Sequence, residues 1–162
     1  MGCCSKDSKG DQNLNTSITF ECPKCQSKGV KVKYITPQAL LKECCKDKLN
    51  PNSTYKYCKN SECNIVYFSE DRNVFFIKDE LTVKATLKDK GLDVNTCYCF
   101  GITRDDILNE IKETGDSNAV ETIKAKMKDP GCFCETSNPQ GGCCLANNMA
   151  WVKEAKKIAQ NS

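Results

Sequence analysis

Cys22-Pro23-Lys24-Cys25, answered by Tyr55-Lys56-Tyr57-Cys58-Lys59-Asn60-Ser61-Glu62-Cys63-Asn64-Ile65-Val66-Tyr67-Phe68-Ser69, decides how the first half of this chain folds. A Cys-x-x-Cys turn aims two thiolates at one point, and amides of the turn donate to the sulfurs. The second pair, Cys58 and Cys63, is spaced by four residues and lies between two aromatic, β-branched runs. Two such turns from separate hairpins complete a tetrahedral site, so Cys22, Cys25, Cys58 and Cys63 are read as ligands of a structural Zn²⁺. Four protein ligands leave no position open for catalysis. A β-rich segment this short has little apolar core of its own, and a metal supplies the missing stability.

Outward from these turns, Ile18-Thr19-Phe20 leads into the first knuckle, and Val30 and Val32 alternate with lysines at the period of a half-buried strand. Thr36-Pro37 reads as a helix start with Thr36 as cap, placing Leu40, Leu41, Cys44 and Cys45 on one side until Pro51-Asn52 ends it. Tyr55–Cys58, Ile65–Ser69, Val74–Lys78 and Leu81–Leu87 read as four short β segments, with a hairpin turn at Asp71-Arg72-Asn73. Residues 88–96 are polar and carry Gly91, which suggests a boundary. Beyond it the pattern is helical. Thr103 caps a helix with Asp105 and Asp106 in its first turn, Ile107, Leu108 and Ile111 as its stripe and Gly115 as its stop. A second helix starts at Ser117 or Asn118, with Val120, Ile123 and Met127 at helical spacing. A third runs from about Cys144 to Ala159, with Leu145, Met149 and Val152 facing inward.

The chain of 162 residues holds 14 cysteines and no histidine. Without imidazole, Ser-His-Asp hydrolases, His-bearing zinc enzymes, Rieske clusters and two-Cys-two-His fingers are excluded. No apolar segment follows Met1-Gly2-Cys3-Cys4-Ser5-Lys6, and Lys6 stands where an acylation signal needs Ser or Thr. No stretch is apolar enough to span a membrane. The expectation is a cytoplasmic protein among reducing thiols, where cysteines bind metals rather than pair as disulfides. The formal charge of +3 falls to about −1 once two four-thiolate sites of about −2 each are filled. Nucleic-acid binding by phosphate neutralisation thereby loses its support. No phosphate loop, paired carboxylates or base for a nucleophile is present, so no enzyme with a substrate pocket is expected.

The second constellation is Cys97-Tyr98-Cys99, Cys132-Phe133-Cys134 and Cys143-Cys144. In extended backbone residues i and i+2 point the same way, so Cys97 and Cys99 can bind together. Cys144 opens the last helix, whose N-terminus favours an anionic centre. Gly101, Gly141 and Gly142 permit close backbone approach. Tyr98 and Phe133 could shield such a centre, although aromatics so placed are more often simple packing.

Cys97-Tyr98-Cys99-Phe100-Gly101-Ile102-Thr103, followed by a helical pair and a cysteine-bearing return, resembles the bacterioferritin-associated ferredoxin domain. The Cys-Pro-x-Cys opening, Tyr57-Cys58 through Glu70, and Cys134 through Cys144 are similar to the N-terminal domain of CopZ-type iron–sulfur metallochaperones, a likeness that covers residues 18–160. It implies an α+β fold: a small zinc-ribbon-like β domain followed by a helical [2Fe–2S] bacterioferritin-associated-ferredoxin-like domain. The divisions expected are a thiol-bearing tail over 1–17, the zinc domain over 18–90 and the cluster domain over 91–162. The resemblance implies zinc on Cys22, Cys25, Cys58 and Cys63. It implies the cluster on Cys97, Cys99, Cys134 and Cys144, with Cys132 and Cys143 as close competitors. It further implies one-electron reduction of Cu(II), carriage of Cu(I), and delivery to a copper-exporting ATPase or a separate copper chaperone domain. The Met-x-Cys-x-x-Cys copper domain that often follows in this family is absent before Ser162. The competing reading is a ferredoxin-like electron-transfer partner with no copper role. Cys3-Cys4 and Cys44-Cys45 are left over; thiolates suit soft d¹⁰ ions such as Cu(I), and the alternative is buried thiols and an inert tail.

Overall fold

The computed structural model describes residues 21–129 and 131–161. The tail with Cys3 and Cys4, and the expected strand Ile18-Thr19-Phe20, lie outside them. The β-branched and aromatic runs form an antiparallel meander of β1 (Gly29–Val32), β2 (Tyr55–Cys58), β3 (Ile65–Ser69) and β4 (Phe75–Ile77), in that spatial order. Val30 faces Tyr57, and Tyr57 faces Tyr67, with an irregular register between Ile65 and Tyr67. The hairpin from Ser69 to Val74 closes as expected: the Asp71 carboxylate accepts from the Asn73 amide at 3.0 Å, and Arg72 adopts φ +62°.

The sheet has two packed sides. Val32, Leu40, Leu41, Tyr55, Tyr57, Tyr67 and Phe76 form one core; Cys22, Cys58, Cys63, Ile65 and Phe68 form another, so the thiols sit inside an apolar wall. Gly29 admits the Phe68 ring, whose nearest carbon would stand 2.5 Å from a Cβ at that position.

Two expectations in this half need correction. The helix at Thr36 is α1 (Ile35–Leu40), followed by a separate 3-10 helix, Glu43–Lys48. Thr36 is not its cap; buried, it donates to the Glu135 carbonyl at 2.6 Å. The break comes from a distant partner. Leu41 is extended and bridges to Leu81, while the Lys42 amide donates to Glu80 and the Thr82 amide to Leu40. That same bridge is all that remains of the strand expected over Leu81–Leu87. Past it the Asp89 carboxylate accepts from the Ala85 amide at 2.7 Å and closes a turn.

The helical half starts with a hairpin of β5 (Asn95–Cys97) and β6 (Ile102–Thr103), then α2 (Arg104–Thr114), α3 (Ala119–Lys128), α4 (Cys134–Ser137) and α5 (Leu145–Gln160). Thr103 caps α2 through a reciprocal pair of bonds with Asp106, and Gly115 at φ +83° ends it. Ile107, Leu108 and Ile111 pack with Ala119 and Ala155. Met149 is 54% exposed, contrary to the expected inward stripe; buried Asn148 and Ala155 take the inner face of α5, with Trp151 and Val152 half-buried beside them.

Contacts tie the halves together. Thr36 and Lys33 on the sheet side hold Glu135, and the Tyr67 hydroxyl donates to the Pro139 carbonyl at 2.5 Å. The polar stretch after residue 84 is equally engaged: Arg104 donates to the carbonyls of Thr86, Asp89 and Gly91, and Lys88 is buried.

Candidate metal centre

Cys22 and Cys25 sit on a tight knuckle. The Cys22 amide donates to the Ser27 carbonyl and the Gln26 amide to the Cys22 carbonyl, both at 2.9 Å, with Gln26 at φ +62°. Cys58 ends β2. The wider loop to Cys63 is shaped by Asn60, whose side chain accepts from the Glu62 amide at 3.0 Å while its carbonyl accepts from the Cys63 amide. Lys24 reaches across to the Asn64 side chain at 2.7 Å, joining the two knuckles.

The four sulfurs lie within 4.8 Å of one another, the one group of three or more candidate ligand atoms to do so among the described residues. Cys22 and Cys63 are 3.9 Å apart and Cys25 and Cys58 are 3.6 Å apart. A tetrahedron with Zn–S bonds of about 2.3 Å has edges of about 3.8 Å, so the quartet fits that ion by size, donor type and number.

Burial pushes the Cys58 thiol up to about 12, against the Asn60 amide and the Lys88 charge; Cys22 is raised by burial too. At Cys25 burial is outweighed by hydrogen bonds, chiefly from Ser27, and the thiol falls to about 6. A cation that binds here displaces the protons which burial otherwise retains. Lys88, which the sequence places in a presumed linker, donates to the carbonyls of Asn60 at 2.8 Å and Cys63 at 2.9 Å and so braces the second knuckle. No local pattern flags it, because its partners lie on another hairpin.

In the second constellation Cys97 ends β5, Cys99 lies in the hairpin turn rather than in extended backbone, Cys134 opens α4, and Cys144 is the N-cap of α5. Cys97, Cys134 and Cys144 are buried with Ile123, and Cys99 packs against them. The sulfurs group in pairs. Cys99 and Cys134 are 3.3 Å apart, and Cys97 and Cys144, buried in the same cluster, shift each other's titration in opposite directions. No three of them close to within 4.8 Å. A binuclear cluster needs two thiolates on each of two irons, so two pairs suit it better than they suit a single ion. Cys132 and Cys143 are exposed and line, with Cys134, a surface cavity of about 410 Å³.

The hydrogen bond from Cys144, aided by the Phe100 and Cys99 amides and the Lys126 charge, overcomes burial and lowers Cys97 to about 6. Giving up that bond, together with burial, raises Cys144; burial first, then its contact with Cys99, pushes Cys134 up to about 12. Three supports escaped the sequence reading. The Phe133 amide donates to Cys99 Sγ at 3.2 Å, the Ser137 hydroxyl lies 3.1 Å from the same sulfur, and Asn148 donates to the carbonyls of Thr96 and Cys144, tying β5 to the start of α5. Of the two aromatics beside these cysteines, the Tyr98 hydroxyl bonds to Lys84 and Thr86, and Phe133 is 57% exposed.

Residues 19–82 match the family model of the CopZ zinc binding domain. The copper chaperone CopZ of Archaeoglobus fulgidus is 31% identical over 125 residues, which make up 77% of this chain and 58% of that protein. The match thus spans under two thirds of the relative's length. The X-ray structure of the N-terminal domain of the same protein superposes with a TM-score of 0.67 at 29% identity, covering 80% of this chain and 95% of that domain. Residues 19–82 are thus similar to a CopZ-type zinc-binding domain, and the mixed α+β fold with its antiparallel sheet resembles the CopZ N-terminal domain. Among the described residues no helix is long and apolar enough to cross a membrane.

Proposed function

We propose, from the premise that residues 19–82 are similar to a CopZ-type zinc-binding domain, that this chain is a zinc- and iron–sulfur-containing metallochaperone that carries copper as Cu(I). Cys22, Cys25, Cys58 and Cys63 hold zinc as a structural ion within a domain spanning 18–90. Cys97, Cys99, Cys134 and Cys144 hold a [2Fe–2S] cluster within a helical, bacterioferritin-associated-ferredoxin-like domain spanning 91–162. When bound, that cluster supplies one electron, which converts Cu(II) to Cu(I).

The observation that carries the reading is the gathering of the second four thiols, Cys97, Cys134 and Cys144 buried in one cluster with Cys99 packed against it and 3.3 Å from Cys134, apart from the zinc quartet. The chain's own residues have defined tasks there. The Phe133 amide and Ser137 hydroxyl offer donors to Cys99, the α5 N-terminus lends partial positive charge at Cys144, and Asn148 fixes the distance between β5 and α5. Similarity to a copper chaperone favours copper as the cargo, in a cytoplasmic setting, with a copper-exporting ATPase or a separate chaperone domain as acceptor.

Anaerobically purified protein is expected to be brown, to contain zinc, iron and acid-labile sulfide, and to give an electron paramagnetic resonance signal on reduction. Added Cu(II) should bleach the reduced spectrum in one-to-one proportion. A reduced cluster that survives excess Cu(II) would leave a ferredoxin-like electron carrier instead, and a colourless protein with zinc alone would end the cluster assignment.

A further inference from the structure

Cys44 and Cys45 belong to neither thiol group. They lie on the 3-10 helix Glu43–Lys48, where successive side chains point about 120° apart, yet their sulfurs approach to 3.7 Å. Cys45 is fully buried and Cys44 is exposed, so one thiol is anchored in the packing and the other stands at the surface. The backbone beneath them is fixed by local and long-range bonds: the Cys45 amide donates to Lys42 at 2.9 Å, and the Lys42 amide to Glu80 at 2.8 Å.

We infer that Cys44 and Cys45 form a two-thiolate cargo site for Cu(I). Their separation is shorter than the roughly 4.6 Å that two bonds of about 2.3 Å span in a line, so the pair would hold the ion bent, with one side open to a third sulfur. Two sulfurs suit a soft d¹⁰ ion; Zn²⁺ needs four ligands, and Mg²⁺ and Ca²⁺ need oxygen. Binding breaks two S–H bonds and forms two S–Cu bonds; both protons leave to solvent and the copper stays Cu(I). The resulting unit carries one negative charge. Exposure at Cys44 lets an incoming thiolate attack the ion while Cys45 still holds it, which is how a carrier releases cargo to an acceptor. The inference rests on the metallochaperone reading: zinc fills its quartet completely, so cargo needs a site of its own.

The test is a Cu(I) titration of the full chain, with zinc and iron loaded, against a chromophoric Cu(I) chelator under anaerobic conditions. Wild type should withdraw one equivalent. Cys44→Ser should bind that equivalent at least about 100-fold more weakly, beyond the 10–100-fold that loss of a ligand's outer support costs. Its zinc content and melting temperature should match wild type, because Cys44 is exposed. Cys45→Ala should show the same loss if it folds, and Cys44→Ser decides the question if it does not. Wild-type uptake with an equally tight Cys44→Ser variant would overturn the site and leave the metallochaperone reading standing. No uptake by wild type would overturn both.

Discussion

The two thiol groups use the same side chain in opposite ways. In the sheet half, two knuckles bring four sulfurs into one quartet with edges of 3.6 and 3.9 Å, braced by Lys88 and Lys24. In the helical half, a hairpin and two helix starts bring the sulfurs together as separate pairs. Cysteine count and spacing do not distinguish these outcomes. Local backbone does: two turns converge on a point, whereas segments arriving from different elements do not bring any three sulfurs that close.

The largest expected effect breaks that comparison in half. Cys58→Ser should abolish zinc binding and, with it, the cooperative folding of the sheet. A structural zinc contributes about 10–16 kcal/mol in finger peptides, more than the whole stability of an ordinary small domain. Cys134→Ser should abolish iron and sulfide incorporation while zinc content stays near one per chain, and Cys132→Ser should keep both. Metal analysis and thermal melts of the three variants read the outcome directly. Equal loss of cluster in Cys132→Ser would mean that the pairing has been assigned to the wrong sulfur.

What the sequence revealed follows the same division. Cys22 and Cys25, β2, β3 and the turn at Asp71 were legible because each is settled within a few residues, by turn chemistry or by alternation. So was α2, whose cap, stripe and stop are all local. Position 41 was not legible: Leu40 and Leu41 continue a helical stripe, and only Leu81, distant in sequence, pulls the backbone out of it. Lys88 and Asn148 read as ordinary polar residues, although each is buried and holds two carbonyls beside a thiol group. Met149 reads as core by period, yet Asn148 takes the inward position because the carbonyls of Thr96 and Cys144 need a donor there.

Lys88→Met sharpens the comparison by removing a brace on the quartet's second knuckle. The methionine retains much of the stem's packing and takes the Lys88 donor from the Cys63 carbonyl, while the Asn60 carbonyl keeps the Cys63 amide. The expected cost is about 1–3 kcal/mol for the acceptor left buried. Zinc affinity should fall about 10–100-fold, the usual penalty for losing outer support of a ligand. Denaturant unfolding and a zinc competition assay measure the two effects, and the iron and sulfide content should not move. An unchanged zinc affinity would show that Asn60 alone sets the loop.

The smallest effect belongs to the helical half, at the α2 cap, and its sign can be worked out. Asp106 accepts from the Thr103 amide at 2.9 Å and from its hydroxyl at 2.8 Å, and these bonds hold its carboxyl below the ordinary range, the amide contributing most. A carboxyl depressed on folding adds stability above its unfolded value, about 3.9, and loses it as the pH falls through the lower folded value. Thr103→Ala removes the hydroxyl and the bond it accepts from the Asp106 amide, at a cost of about 1 kcal/mol. It spares the larger bond from the Thr103 amide. The gap between wild type and variant should therefore be widest at neutral pH and should narrow only below about pH 4, as the pH falls through the lower folded values of Asp106. Asp106→Asn should flatten this group's acid dependence altogether. Because the cap lies outside both thiol groups, zinc, iron and sulfide contents should remain those of wild type. A variant that lost iron would show that the β5–β6 hairpin presenting Cys97 and Cys99 depends on the helix it leads into.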